Sequence, residues 1–270
     1  MTWRPKLVAL DVDGCLLEWE RGTDKSSEFV APAVREAVGR VVRAGVPVVL
    51  ASGRSPLGLV DVARLVDLPE PGWVVGSNGA VIARTGPSSV AQATTFDARA
   101  TVLAVLDRFP EAMVAVEEPG LDYRVSRPFP RGELSGGSVV TAAEELGSRP
   151  ACRVMVRRPD DASASQDLHA LVSELGLTGT DYVANLTSWL DISPVGVSKA
   201  SALAYVGLQL GVAAADVLAI GDGRNDIEML QWAGRGVAMG QAVQDVHAAA
   251  DASTTGVGED GVAVELARWF

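Results

Sequence analysis

Residues 7–14 read Leu-Val-Ala-Leu-Asp-Val-Asp-Gly, an apolar run of strand length that ends in Asp11 and Asp13. Successive strand side chains alternate between faces, so residues i and i+2 share a side. Asp11 and Asp13 would leave the strand end together, and Gly14 lets the chain turn sharply there. Two carboxylates at one tip repel each other unless something positive lies between them. A hard divalent cation answers that need, since oxygen ligands suit Mg2+. Taken alone, Asp-x-Asp-Gly more often marks two solvated aspartates before a turn. Two further stretches reverse that weighing: Ser52-Gly53-Arg54 and Gly221-Asp222-Gly223-Arg224-Asn225-Asp226. Together with Lys199 they supply acids, a hydroxyl and basic groups, the set that phosphoryl transfer uses. A loose, metaphosphate-like transition state needs mainly positioning and charge stabilisation.

These residues sit where strands should end. Val48 to Ala51 reads as a buried strand running into Ser52, and Trp73 to Val75 as a third, ending at Gly76-Ser77-Asn78-Gly79. Asp216 to Ile220 is a fourth, running into Asp222. Helical spacing fills the intervals: Val34, Val38, Val41 and Val42 before Gly45, then Ser55-Pro56 as a cap and first turn for Leu59, Val62, Ala63 and Val66. Val197 to Leu210 is helical, with Lys199 in its first turn. A short strand at Gly236–Gly240, a helix over Val243–Ala250 and a closing helix over Asp260–Phe270 follow. Strands apolar throughout, alternating with helices, predict an α/β fold with a doubly wound parallel sheet. In such a sheet, ligands bind beyond the carboxyl ends of the strands. The polar tips should therefore share one edge.

The pattern changes after Arg84. Thr85 to Ser89 is a polar break; Asp97–Phe109 reads as a helix, Ala112–Glu117, Leu121–Val125, Arg153–Val156 and Tyr182–Leu186 as strands, and Gln166–Leu175 as a helix. Residues 126–150 give no clear order. We read 84–190 as an inserted α+β domain, and 1–83 with 191–270 as the core.

Composition narrows the classes. Hydrophobic residues make up 48% of the 270-residue chain, enough for a packed core. A net charge of -11 disfavours nonspecific nucleic-acid binding and attachment to anionic membranes. Two cysteines, Cys15 and Cys152, make no disulfide framework. With no signal-peptide h-region and no membrane-length apolar run, a cytoplasmic protein is expected. Cys15 reads as a small buried residue. His169 and His247, the two histidines, lie far in sequence from the motifs, which argues against Ser-His-Asp hydrolysis and a His-rich zinc site.

Four motifs in order resemble the haloacid dehalogenase superfamily, in particular its Cof-type phosphatases with a type IIB cap. They are Asp11-x-Asp13-Gly14, Ala51-Ser52-Gly53-Arg54, Lys199 and Gly221-Asp222-Gly223-x-Asn225-Asp226. Ser77-Asn78-Gly79-Ala80, Val237-Ala238-Met239-Gly240 and Glu259-Asp260-Gly261-Val262 add to the likeness. Each is weak alone; together at strand ends they are specific. The resemblance implies an Mg2+-dependent phosphatase acting on a small phosphorylated metabolite, a sugar phosphate first. Asp11 would be the nucleophile, forming an aspartyl-phosphate. Asp13 would be the general acid and base. Ser52 and Gly53 would bind the phosphoryl group, and Lys199 would steady it together with Asp11. Arg54, Asn78 and Asn225 would contact phosphate or substrate. Asp11, Asp13 (through its backbone carbonyl), Asp222 and Asp226 would hold or surround Mg2+. The insert would be a cap that selects substrate, hinged near Ala83–Gly86 and Trp189–Pro194, with Arg124 and Arg127 as candidate grips. Cys15 departs from the usual threonine. The expected assembly is a monomer or homodimer. A phosphomutase of the same superfamily is the alternative enzyme, and a receiver-type phospho-acceptor module the alternative of a different class. The large insert and the Gly-Asp-x-x-Asn-Asp run weigh against the module.

Overall fold

In the computed structural model, residues 3–18, 29–86, 89–119, 123–130, 133–134, 137–159, 170, 178–184 and 187–270 are described. Strand β1 (Leu7–Leu10) consists of four fully buried apolar residues. Helix α1 (Pro32–Arg43) starts on proline, buries Val34, Ala37, Val38 and Val41, and gives way to Gly45 at φ +73°. Next come β2 (Val48–Ala51), α2 (Pro56–Leu65), β3 (Trp73–Gly76), β4 (Val81–Arg84) and β5 (Ser89–Ala93). The Ser55 hydroxyl caps α2 by accepting from the Gly58 amide. The middle of the chain forms α3 (Arg99–Arg108), β6 (Met113–Glu117), β7 (Tyr123–Val125), β8 (Ser138–Val140), β9 (Arg153–Pro159), β10 (Thr178–Ala184) and β11 (Thr187–Ser193). The C-terminal part forms α4 (Lys199–Leu210), β12 (Val217–Gly221), α5 (Ile227–Trp232), β13 (Arg235–Ala238), α6 (Gln244–Ala249), β14 (Ala252–Ser253) and α7 (Gly261–Leu266).

Two compact units result. Among the described residues, one takes 3–18, 29–91 and 198–270; the other is Gln92–Val197. In the first unit, the described strands make one sheet in the order β14-β13-β12-β1-β2-β3-β4-β5. It is parallel from β14 to β3, and β4 turns back antiparallel against β3. Strand parity divides its core. Leu7 and Ala9 pack with Leu203 and Val206 of α4 and with Met229 of α5, whereas Val8 and Leu10 pack with Val38 of α1, Leu59 of α2 and Leu266 of α7. Both faces are thus covered, as an apolar parallel sheet requires. Each fully buried leucine contributes about 1.5–3 kcal/mol.

The second unit has its own sheet, in the order β10-β11-β9-β6-β7-β8. Val114, Val116, Val154, Val156, Leu190 and Ile192 line one face and pack against Val102 and Val105 of α3. Alternate positions on the same strands carry charge. Arg153, buried, donates to Glu117 at 3.0 Å, to Asp191 at 3.0 Å and to the Tyr123 hydroxyl at 3.2 Å.

The boundaries differ from those read in the sequence. Residues after 84 do not leave the first unit at once, because β5 adds a further strand to its sheet. That strand is exposed along nearly its whole length, so it shows no burial pattern and reads as a polar break. At the other end, β11 keeps 187–193 in the second sheet, and the chain returns only at Ser198. Ala83–Arg84 and Trp189–Ser193, within the expected hinges, are strand residues. Within 126–150, β8 pairs in parallel with β7. The helix expected over 166–175, with His169, lies outside the described residues, Ala170 excepted.

Candidate active site

The parallel registers of β12, β1, β2 and β3 bring their carboxyl ends to one edge of the first sheet. Asp11 follows β1 directly and is buried. Lys199 opens α4, behind the Ser198 cap, whose hydroxyl accepts from the Ser201 amide. The fully buried Lys199 ammonium lies 2.6 Å from Asp11 Oδ1 and 2.6 Å from Asp226 Oδ1. The second oxygen of Asp226 accepts from the backbone amides of Asp222 at 3.0 Å and Gly223 at 2.9 Å. Asp226 therefore links the lysine to the loop that carries Asp222. A side chain on Gly221 would collide with the Asp226 carboxylate, so glycine is required there.

Asp13 faces a different cation. Arg54 donates to it through Nε at 2.9 Å and through its terminal nitrogen at 2.6 Å, a fork onto one carboxylate. The Arg54 amide also donates to Ser52 Oγ at 3.2 Å. Ser52 is almost fully buried. The tip after β3 folds over the tip after β2: Ser77 N donates to Arg54 O at 2.8 Å and Asn78 N to Ser52 O at 3.1 Å. Ser77 and Asn78 both adopt left-handed backbone, at φ +53° and +54°. Such strain persists where the surroundings hold it in place. Asn78 Oδ1 accepts from Asn225 at 2.9 Å, which ties this tip to the β12 loop.

Electrostatics then favour a divalent cation. Four carboxylates, Asp11, Asp13, Asp222 and Asp226, meet two cations, Lys199 and Arg54, leaving two negative charges over. Burial pushes the Asp11 carboxyl well above its ordinary range, repulsion from Asp226 adds to this, and Lys199 opposes it. Burial and Asp226 likewise push Asp222 from 3.8 to about 7, against a hydrogen bond from Gln241. Burial works against the charge of Lys199, but Asp11 and Asp226 outweigh it and hold the ammonium above its usual range. Among the described residues, ligand atoms of Asp11, Cys15 and Asp222 lie within 4.8 Å of one another. The Asp13 and Asp226 carboxylates fall outside that group and are engaged by Arg54 and Lys199. Asp11 shares Lys199 with Asp226, and Asp222 has no ion-pair partner among the described residues, so the pair fits a hard cation.

The sequence reading missed Gln241. Its amide donates to the Gly14 carbonyl at 2.6 Å and to Asp222 Oδ2 at 3.1 Å, and its carbonyl accepts from Val257 N at 3.0 Å. It joins three loops at the acidic site, and its signal was its position just after Val237-Ala238-Met239-Gly240. In the second unit, the guanidinium of Arg124 pairs with Glu118 at 2.7 Å, and Arg127 donates to the Pro110 carbonyl at 2.7 Å. His247 lies in α6 and shares a 2.8 Å hydrogen bond with Ser253. No helix of the described residues is long and apolar enough to cross a membrane.

The chain matches a family model described as haloacid dehalogenase-like hydrolase over residues 8–117 and 138–266. It is 28% identical to a phosphoglycolate phosphatase of Methanoculleus marisnigri, covering 98% of this chain and 97% of that one. It is 27% identical to a 5-amino-6-(5-phospho-D-ribitylamino)uracil phosphatase of Bacillus subtilis, over 98% and 95% of the two chains. Among solved structures, BT1666 of Bacteroides thetaiotaomicron, described among phosphatases of the same superfamily, aligns with a TM-score of 0.77. The identity is 28%, over 98% of this chain and 95% of that one.

Proposed function

The chain belongs to the haloacid dehalogenase-like hydrolase family, and from that premise we propose that it is an Mg2+-dependent phosphatase of small phosphorylated metabolites, sugar phosphates first. Two relatives named for phosphatase activity on small metabolites support this reading. The observation that carries it is Lys199 held between Asp11 and Asp226 at the same sheet edge as Asp222.

In the first step an Asp11 carboxylate oxygen attacks phosphorus, the ester P–O bond breaks, and the Asp13 carboxyl gives its proton to the departing alkoxide. In the second step Asp13, now a carboxylate, takes a proton from water as that water attacks phosphorus. The acyl-phosphate P–O bond breaks, which frees phosphate and restores Asp11. Lys199 fixes Asp11 through Oδ1 and offsets its charge as the anionic substrate arrives. Ser52 and the backbone around Gly53 receive phosphoryl oxygens. Arg54, forked onto the Asp13 carboxylate, has to release it before Asp13 carries the proton of the first step, and the Asn78–Asn225 pair holds two tips at a fixed separation. Asp11 and Asp222, with the Asp13 backbone carbonyl, would hold Mg2+, whose charge would offset the repulsion between carboxylates and phosphate.

Phosphate release from a panel of sugar phosphates, nucleotides and small phosphorylated acids, with Mg2+, tests the reading for wild type and Asp11→Asn. Turnover by wild type only is expected. Retained turnover in Asp11→Asn would remove Asp11 as nucleophile, and no turnover on any member would overturn the phosphatase reading.

A further inference from the structure

We propose that Cys15 makes the Asp11–Asp222 pair a site for a thiophilic divalent cation such as Zn2+ or Cd2+, bound in competition with Mg2+. The inference rests on the reading that these two carboxylates hold a cation. The Cys15 sulfur and one oxygen from each acid lie within 4.8 Å of one another. With zinc–sulfur and zinc–oxygen bonds of about 2.0–2.3 Å, a shift of about an ångström brings all three onto one ion. The residue is 1% exposed, its cysteine is free, and no hydrogen bond to its thiol occurs among the described residues. A buried, unpartnered sulfur thus points toward two carboxylates.

Mg2+ has little use for sulfur and leaves it idle. A borderline or soft ion gains a third protein ligand here that a threonine or serine would not supply in the same form. On binding, the metal replaces the thiol proton, which leaves to solvent, and the ion's own charge overrides the repulsion of the neighbouring acids. Such an ion would take the place of Mg2+ on Asp11 and Asp222. Cys152, the other cysteine of the chain, belongs to the second unit and serves as the internal control.

The test is titration of the metal-free full-length protein with Cd2+, following the thiolate-to-metal charge-transfer absorption. Wild type should develop the band, and excess Mg2+ should reduce it. Cys152→Ser should keep it; Cys15→Ser and Cys15→Ala should both lose it, and Asp222→Asn should need more Cd2+ to reach it. A wild-type titration without a band, or an undiminished band in both Cys15 variants, would overturn the proposal. Mg2+-supported phosphate release by the same preparation reads the phosphatase assignment separately. A protein that hydrolyses but shows no band sinks the thiol ligand alone.

Discussion

Lys199 lies between two carboxylates that would otherwise face each other inside the protein. Lys199→Ala leaves both without a cation, and breaking a buried pair costs about 3–5 kcal/mol. Denaturant melts should show that loss, and phosphate release should fall by orders of magnitude. The upward shifts of Asp11 and Asp222 carry a second expectation. A carboxyl whose folded pKa lies above its unfolded value binds more protons when folded, so stability drops as pH rises between the two. For Asp222 that window runs from 3.8 to about 7. Thermal melts in EDTA should therefore decline across it, and Mg2+ should restore stability near neutrality. Melts that stay flat with pH would remove the charge surplus from the account. The acids, Ser52 and Lys199 were legible in the sequence because each follows or opens a periodic element. The Arg54–Asp13 fork and the Asn78–Asn225 bond were not, since their partners stand 41 and 147 positions apart. No local pattern encodes such pairings.

Elements set these residues through close backbone approaches. Gly79 has φ +101°, and a side chain there would run into the Ser198 carbonyl, just before Lys199. Gly79→Ala should cost about 1–3 kcal/mol of stability from backbone strain and should lower kcat by displacing the start of α4. Thermal melts and steady-state kinetics would show both, and an unchanged kcat would separate this turn from the lysine. The apolar strands β1, β2, β3 and β12 were readable because burial on both faces leaves a continuous hydrophobic run. β5 was not, because an exposed edge strand carries no such run.

At the scale of the molecule, each unit has its own sheet and its own core. Arg153 lies buried between Glu117 and Asp191 in the second. Arg153→Ala should strip hydrogen-exchange protection from β6, β9 and β11 while β1 and β12 stay protected; loss in both sheets would show the units to be one cooperative body. The existence of an insert was legible from the change in pattern, but its ends were not, since β5 is exposed and carries no apolar run and β11 continues the second sheet to Ser193. The place of β1 between β2 and β12 has a consequence for synthesis. Leu7–Leu10 leave the ribosome some 210 residues ahead of their partners on one side, Val217–Ile220. Until then β1 has an open, apolar edge, and such edges invite pairing with other chains. Lys199 arrives late as well, so a nascent chain presents Asp11 without the ammonium that will hold it. Completion of the sheet and assembly of the catalytic charge balance are therefore a single late event, and a chain truncated before β12 has neither.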